Sequence, residues 1–468
     1  MACTSGRFLA TALCAAVAAA WWPCSAVGQA SPAEASYAVV VKKSTAEDPG
    51  WQKVVAALKG KHNASIFTYD ESVDESLDAL TRMFPRHTCF VAKPEDAGRA
   101  FVAQVHQLTR KLDVDPYTDT SWGILTGYDA DNALAIASHN EPLVVKKVAS
   151  GTEFATEMVT EGQWYDELVK NKHVKKEPGG KAEELEGPDD TTKVLVDLLN
   201  DYKADLMITS GHASERDWSI GYRFRSGRFR CANGRLYGLD TKNARHPIDS
   251  PNPKVYMPIG NCLMGHIDRR DAMALAWMNS AGVMQMLGYT IPTGYGYGGW
   301  GCLDYFLEQP GRYTFNEAFL ANHHALVHRM NDSATDTHTR KRLRGDLDVV
   351  AFYGNPKWSA RMAEMPKYYD QTLEIEDGVY TLTLSPNRGE DSFEPVNTNG
   401  SERGWRPMVQ FLPHRIKEIE ILSGEDLGPV ITDDFILIPN PRKCDPDRGY
   451  VVRFKAKAFA ATTTGNSG

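Results

Sequence analysis

Short apolar runs alternate with amphipathic stretches in the first third of the chain. Runs rich in β-branched and aromatic residues occur at 37–41, 65–69 and 89–92, and each is followed by apolar residues at helical spacing. Two further runs, at 122–126 and 143–145, have the same strand character. Strands that alternate with helices pair in parallel and are covered by those helices, so this region predicts an α/β fold with a largely parallel sheet.

The middle of the chain continues this pattern after an interruption. Residues 172–190 are charged, rich in Pro and Gly and without apolar periodicity, which predicts a solvated surface loop; a processing site in such a loop is the alternative. An amphipathic helix follows, and buried strands are then expected at 206–209, 255–259, 282–287 and 348–353. The sheet is therefore expected to extend through this region.

The pattern changes after residue 366. Short alternating or apolar runs, separated by Gly, Pro, Asn and Asp, occur at 379–384, 408–411, 416–421, 435–438 and 450–454. This spacing predicts a small C-terminal β-sandwich. A length of 468 residues also favours two domains. We therefore expect an α/β domain over 31–365, a β-sandwich over 366–460 and a disordered tail over 461–468.

The first 30 residues have the pattern of an export signal. Arg7 is the only charged residue among them, and an apolar run over 8–20 leads through small residues to Ala30. That run is shorter than the roughly 18–20 residues that a membrane-spanning helix needs. We therefore expect a signal peptide over 1–30, no transmembrane segment, and a protein that is secreted, periplasmic or associated with the cell surface.

The charge of the chain limits the kinds of partner. The formal net charge is -8, whereas nucleic-acid binding usually needs a concentrated basic face. One arginine-rich stretch, at 223–235, is predicted to be an exposed hairpin. The composition therefore argues against a nucleic-acid partner.

Removal of the signal peptide would leave an odd number of cysteines. The five that remain are Cys89, Cys231, Cys262, Cys302 and Cys444. In an oxidising compartment at least one thiol stays unpaired if the others pair, and the other interpretation is that all five are buried and reduced. Cys262 differs from the rest in its sequence context.

Two of the predicted strands lead through a glycine to a reactive side chain. The strand at 206–209 is followed by His212, and the strand at 255–259 is followed by Cys262. The carboxyl ends of strands in an open parallel sheet are where loops converge and ligands bind. If the two strands are neighbours, the imidazole and the thiol therefore lie close together at that edge.

An imidazole beside a thiol predicts nucleophilic catalysis. His212 would help Cys262 to form a thiolate and would later protonate a departing amine. The backbone N–H groups of Cys262 and of Gly211 or Ala213 are candidates to hold the developing oxyanion. The predicted reaction is the hydrolysis of a peptide bond through a Cys–His dyad.

Four segments at and after these residues carry a family resemblance. They are 210–215 (Ser-Gly-His-Ala-Ser-Glu), 260–262 (Gly-Asn-Cys), 281–288 and 353–356 (Tyr-Gly-Asn-Pro). In order and strand context they resemble the gingipain family, which consists of caspase-like cysteine endopeptidases of bacteria, and the resemblance covers residues 37–360. It implies a caspase-like fold, a thioester on Cys262, a protein or peptide substrate, no required cofactor and an immunoglobulin-like C-terminal domain.

The resemblance also implies further site residues. Glu141, just before the strand at 143–145, is similar to a family glutamate that contacts the histidine; a surface carboxylate beside a free-standing dyad is the alternative. Trp300, in the glycine-rich segment 292–300, matches a tryptophan beside the pocket for the residue preceding the cut. Tyr295 and Tyr297 are candidate helpers, and a glycine-rich surface loop is the alternative for this segment.

Two departures from the family pattern leave other functions open. Ala213 stands where the family has Gly, and Pro258 removes a backbone donor from the strand that leads to Cys262. A catalytically weak or inactive surface protein that keeps the fold for binding is therefore an alternative. A zinc hydrolase that uses His212, Cys262 and His266 is a further one.

One pair of carboxylates raises the question of calcium. Asp129 and Asp131 follow Thr126-Gly127, and hard oxygen ligands of this kind suit calcium. Capping of a helix is the simpler interpretation. The cofactor prediction is therefore that none is required, with calcium as the alternative.

Overall fold

A computed structural model describes residues 36–459 of the chain. The predicted signal peptide over 1–30 and the predicted tail over 461–468 lie outside the described residues. Among residues 36–459, no helix has both the length and the apolar character needed to cross a membrane.

The first part of the described chain alternates strands with helices. Its strands are β1 (Tyr37–Lys42), β2 (Ser65–Tyr69), β3 (His87–Val91), β4 (Ser121–Leu125), β5 (Leu143–Val145), β6 (Lys147–Ser150), β7 (Glu161–Tyr165), β8 (Lys172–Lys176) and β9 (Ala182–Glu186). Its helices are α1 (Lys43–Ala46), α2 (Pro49–His62), α3 (Leu77–Met83), α4 (Arg99–Leu108), α5 (Ala130–Ser138) and α6 (Thr192–Asn200). The strands expected from the apolar runs of this region are confirmed.

The next part adds four strands to the sheet of the first part, forms a separate four-stranded sheet in the order β11-β12-β13-β14, and contributes four further helices. Its strands are β10 (Leu206–Thr209), β11 (Asp217–Ser219), β12 (Arg228–Ala232), β13 (Arg235–Leu239), β14 (Arg245–Pro247), β15 (Lys254–Pro258), β16 (Val283–Tyr289), β17 (Val350–Gly354) and β18 (Ala360–Met362). Its helices are α7 (Met273–Ser280), α8 (Tyr297–Phe306), α9 (Phe315–Asn331) and α10 (Thr337–Asp346).

A single twelve-stranded sheet organises the α/β part, in the order β2-β1-β3-β4-β17-β16-β15-β10-β6-β7-β8-β9. In this order, the first five strands (β2 to β17) are parallel to their neighbours, and so are the next five (β16 to β7). The pairs β17–β16, β7–β8 and β8–β9 are antiparallel. Every residue of β10, β15 and β17 is buried, as expected for strands covered on both faces. The expectation of an α/β fold with a largely parallel sheet is confirmed.

Two local predictions about this sheet are wrong. The expected loop over 172–190 contains the β8–β9 hairpin, which extends the sheet at one edge. Every residue of β9 is exposed, so the charges that suggested a loop belong to an edge strand. In addition, β5 is a strand as expected, but it pairs with β18 in a separate two-stranded sheet.

The C-terminal part consists of short antiparallel strands. They are β19 (Tyr369–Glu376), β20 (Val379–Pro386), β21 (Met408–Phe411), β22 (Ile416–Ser423), β23 (Val430–Ile431), β24 (Phe435–Ile438) and β25 (Tyr450–Ala458). They form the sheets β19-β20-β25-β22 and β21-β24-β23, which share an apolar core containing Tyr380, Ile436 and Phe454. The strands expected here are confirmed, and Phe435 and Leu437 of β24 also join the core of the α/β part.

Candidate functional site

The sheet topology brings the two predicted reactive residues to the same edge. β10 and β15 are adjacent and parallel, with Thr209 paired to Pro258. The chain therefore leaves both strands at their carboxyl ends, where His212 follows β10 and Cys262 follows β15. Ile259 N–H continues the pairing by donating to the carbonyl of Thr209 over 2.9 Å.

A buried asparagine joins the two strand ends. The side chain of Asn261 is fully buried; its Nδ2 donates to the Gly211 carbonyl over 3.0 Å, and its Oδ1 accepts from Thr209 Oγ1 over 2.6 Å. Thr209 Oγ1 also lies 2.9 Å from the Tyr256 hydroxyl. Because Asn261 and Gly211 directly precede Cys262 and His212, this network fixes the distance between the two turns that carry them.

His212 lies at the surface of this edge. Its side chain is exposed, and its ring stacks on that of Tyr222 with centroids 4.8 Å apart. Its carbonyl accepts from Ser219 N–H, which closes a tight hairpin over 213–218. Gly211 has φ +88°, and a Cβ there would lie 2.9 Å from Glu167 Oε2, so the turn that presents His212 requires glycine.

Cys262 is half-buried, and its sulfur contacts the backbone of Thr293. The thiol donates a hydrogen bond to the Thr293 carbonyl oxygen over 3.5 Å, and Thr293 N–H donates to the sulfur over 3.3 Å. No hydrogen bond within residues 36–459 joins the sulfur to the His212 ring, and such bonds are often long before substrate binds.

The backbone around the dyad leaves amide donors available. In the described part of the chain, the N–H groups of Gly211, Ala213 and Cys262 donate to no other protein group. Ala213 has no positive φ, so alanine introduces no left-handed strain at this position. These three amides are thus free to bind an anionic oxygen, and the geometry accommodates Ala213.

Pro258 is also accommodated by the sheet. It is the last residue of β15. Lys254 N–H donates to the Gly282 carbonyl, on the side of β16, and backbone nitrogens alternate along a strand. The nitrogen of Pro258, four residues later, therefore also faces β16. Pairing with β16 ends at Tyr256. The missing donor of Pro258 therefore falls where the ladder has already stopped.

Two glutamates follow the next strands along the same edge. Glu153 comes after β6 and Glu167 after β7, and β6 pairs in parallel with both β10 and β7. Glu167 accepts from Thr152 Oγ1 over 2.9 Å, and burial raises the pKa of its carboxyl to about 7. Neither was predicted from the sequence, although each follows a central strand as His212 and Cys262 do.

The structure does not bring Glu141 to this edge. Its carbonyl accepts from Trp358 Nε1 over 2.8 Å. The Trp358 and Asn355 carbonyls in turn accept from Gln285, near the amino end of β16. Because β16 runs parallel to β15, Glu141 lies at the amino end of the sheet, opposite Cys262.

The three predicted pocket aromatics lie in different places. Trp300 is buried; a Cβ added at Gly260 would lie 3.0 Å from its Nε1, so the indole packs beside the turn that leads to Cys262. Tyr295 and Tyr297 form a separate buried cluster, where arginine side chains cover their rings. Trp300 therefore borders the site, whereas the two tyrosines face α9 and α10.

The expected mobile loop over 292–300 is partly a helix. α8 begins at Tyr297 and continues through Gly298 and Gly299. A Cβ at Gly299 would lie 2.1 Å from the Ile259 carbonyl oxygen, so glycine lets the helix approach the end of β15 closely. The glycines here serve close packing, and they hold Trp300 against the site.

The predicted metal sites are not assembled. His266 Nδ1 lies 3.0 Å from Glu215 Oε1, and no metal-like cluster within residues 36–459 contains His212, Cys262 or His266. Asp129 caps α5 by accepting from Asn132 N–H, and neither it nor Asp131 belongs to such a cluster. A different set of carboxylates, Asp113, Asp115 and Asp433, lies close enough together to share an ion.

The other four cysteines of the described residues and a cavity lined by part of α8 are separate from the edge that carries His212 and Cys262. All five cysteines are free thiols, of which Cys231 and Cys262 are half-buried and the others buried. A cavity of about 530 Å³ lies on the far side of α8, lined among others by Tyr297, Arg329 and Arg406. Neither His212 nor Cys262 lines this cavity.

The comparisons with known proteins leave the family unassigned. No family model matches the chain, and no match was found among the curated proteins or among the solved structures.

Proposed function

We propose that this protein is a cysteine endopeptidase in which Cys262 is the nucleophile and His212 transfers the proton. The observation that carries the proposal is the parallel pairing of β10 with β15, which delivers both side chains to one solvent-reachable edge. The Asn261 network and the free amide donors at Gly211, Ala213 and Cys262 support it.

The arrangement supplies each part of an acyl-transfer reaction. The Cys262 thiolate attacks the peptide carbonyl, and the N–H groups stabilise the oxyanion of the tetrahedral intermediate. Collapse breaks the C–N bond, His212 protonates the amine that leaves, and a thioester remains on Cys262. Water activated by His212 then hydrolyses the thioester, which restores the thiol and releases the acid.

The finer features of the fold belong to the same proposal. A caspase-like, gingipain-like arrangement is supported by the order of His before Cys on adjacent parallel strands, and an immunoglobulin-like C-terminal domain by two antiparallel sheets with a shared core. The signal-peptide pattern over 1–30 supports a secreted, periplasmic or surface-associated enzyme. The substrate would be a protein or peptide.

One observation favours a second candidate, a binding protein with a weak or inactive dyad. The Cys262 sulfur is engaged by Thr293, and the His212 ring is stacked on Tyr222. If these contacts persist with substrate bound, the imidazole does not reach the sulfur. This alternative predicts that Cys262 has the reactivity of an ordinary thiol.

Digestion of a peptide library separates the two candidates. The unmodified protein, Cys262→Ala and Cys231→Ala are compared by mass spectrometry of the products; Cys231 is the matched control because it is the other half-buried free thiol. The proposal predicts cleavage by the unmodified protein and by Cys231→Ala and none by Cys262→Ala. Equal patterns in all three, or no cleavage by any, would overturn it.

A further inference from the structure

A segment of the C-terminal part reaches back to the carboxyl end of the central sheet. Residues 397–401, between β20 and β21, run past the end of β6. Asn399 Nδ2 donates to Glu153 Oε2 over 3.1 Å, and Asn397 Nδ2 donates to Glu153 Oε1 over 3.4 Å. One end of this segment is therefore bound to the strand tip next to that of His212.

The other end of the segment rests on Trp300. Gly400 has φ +111°, and a Cβ added there would lie 2.6 Å from two atoms of the Trp300 ring. Since Trp300 also packs beside Gly260, the segment runs from the tip of β6 to the tip of β15. The tip of β10, which carries His212, lies between these two strands in the sheet.

Buried ion pairs hold the segment in this position. The Arg403 guanidinium binds Asp304 of α8 and Glu308, and all three side chains are at most 5% exposed. Arg406 Nε adds a 3.0 Å contact to Asp304. Because α8 also carries Trp300, these ion pairs join the helix to the segment. Removal of one partner of a buried ion pair strongly destabilises a protein, so the segment is firmly held.

We infer that residues 397–401 form one wall of the substrate-binding groove and help to select the residue bound beside the cut. This inference rests on the proposed function. His212 is exposed and Cys262 is half-buried, so the segment leaves the dyad open and borders it. The Asn399 amide and the Glu153 carboxylate would then face one side chain of the substrate, while the buried Trp300 ring supports the segment from behind. The C-terminal part would be required for specificity.

Two variants test this wall. Asn399→Ala removes the hydrogen bond to Glu153, and Gly400→Ala places a methyl group against the Trp300 ring. Gly449→Ala is the matched control, because a Cβ there meets nothing within 4 Å and lies in the same C-terminal part. The measurement is kcat/KM for peptides that differ only in the residue before the cut, together with the rate at which iodoacetamide, which needs no groove, alkylates Cys262.

The inference predicts that each wall variant changes the ratio of kcat/KM between the best and second-best peptides by roughly tenfold. The alkylation rate and the control's peptide preference should match the unmodified protein. Unchanged ratios in a folded Asn399→Ala protein, which loses only a partly exposed amide, would overturn the inference while the proposed function stands. If the unmodified protein shows no Cys262-dependent cleavage, the proposed function fails first and the inference fails with it.

Discussion

Two asparagines join the same pair of strands at opposite ends of the central sheet. Asn252 lies just before β15, and its Nδ2 donates to the Ala204 carbonyl before β10 over 3.1 Å. Asn261 lies just after β15 and donates to the Gly211 carbonyl after β10 over 3.0 Å. The two links are alike in chemistry, but their surroundings differ.

The amino end is closed by groups that satisfy one another. The buried Lys254 ammonium donates to the carbonyls of Ser250, Asn252 and Ala281 and lies 3.2 Å from both the Ser250 hydroxyl and the Asn252 side-chain oxygen. Few hydrogen-bonding groups remain there for a ligand. Such an end stabilises the sheet, and burial lowers the pKa of the Lys254 amine to about 7.

The carboxyl end has the same strand link but leaves reactive groups accessible. His212 is exposed, Cys262 is half-buried, three amide donors have no protein partner, and Glu167 is a half-buried carboxyl whose pKa burial raises to about 7. The two ends of this strand pair therefore differ in how accessible their polar groups are, and the proposed active site lies at the accessible end.

Replacement of His212 should have the largest effect among the variants that test this contrast. We expect His212→Ala to lower kcat by about 10³-fold or more, because the thiol loses its base and the amine its acid. His266→Ala, at a histidine already bound to Glu215, should retain most activity. Steady-state kinetics measures both losses. A larger loss of kcat for His266→Ala than for His212→Ala would show that His212 is not the catalytic base.

The two asparagine links give a direct comparison of the sheet ends. Asn252→Ala and Asn261→Ala should each lower the free energy of unfolding by about 1–3 kcal/mol, because each leaves buried polar groups unpaired. Only Asn261→Ala should also lower kcat/KM, by about 10²-fold, since misplacement of reacting groups is costly. Urea unfolding and kinetics test this, and equal kinetic losses in the two variants would remove the functional distinction.

Glu167 should make stability depend on pH. Its folded pKa of about 7 exceeds the ordinary value of 4.5, so the folded state binds the proton more tightly. The stabilisation is fully present below about pH 4.5 and is lost as the pH rises through about 7, amounting to about 3 kcal/mol. The urea midpoint of unfolding should fall between pH 4 and 8, and it should fall less for Glu167→Gln than for the unmodified protein. The same fall in both proteins would contradict a raised pKa of this carboxyl.

The smallest effect is expected at Glu141. The Glu141→Gln protein should have the kcat/KM and pH profile of the unmodified protein, because only the backbone of Glu141 contacts Trp358 and the residue lies at the closed end. The measurement is a pH–rate profile from pH 5 to 9. A clear shift in the profile would place Glu141 within reach of His212.

The sequence predicted eight strands of the central sheet, because their burial follows local apolar patterns, and it missed β6, β7, β8 and β9. β10 and β15 read as short apolar runs, and the glycines after them marked the turns to His212 and Cys262. The position of Glu141 could not be predicted, because nothing local shows that β5 leaves the central sheet to pair with β18. The wall at 397–401 depends on contacts across some 240 residues to Glu153, which periodicity cannot reveal.

The glycine-rich segment before Trp300 shows a different limit. Glycines in sequence indicate freedom of the backbone, and the structure uses Gly299 for close approach to the Ile259 carbonyl within a helix. Whether a glycine provides backbone freedom or close packing depends on which atoms lie where its Cβ would be, and the sequence does not show this. The same holds for β9, whose charges fit a loop and an edge strand equally well.

The most direct test of the account is covalent labelling of the folded protein with a peptidyl acyloxymethyl ketone, located by peptide mass spectrometry. The account predicts one adduct, on Cys262, that His212→Ala slows strongly and that Cys231→Ala leaves unchanged. An unlabelled Cys262 in the folded protein, or labelling of Cys262 at the same rate without His212, would contradict it.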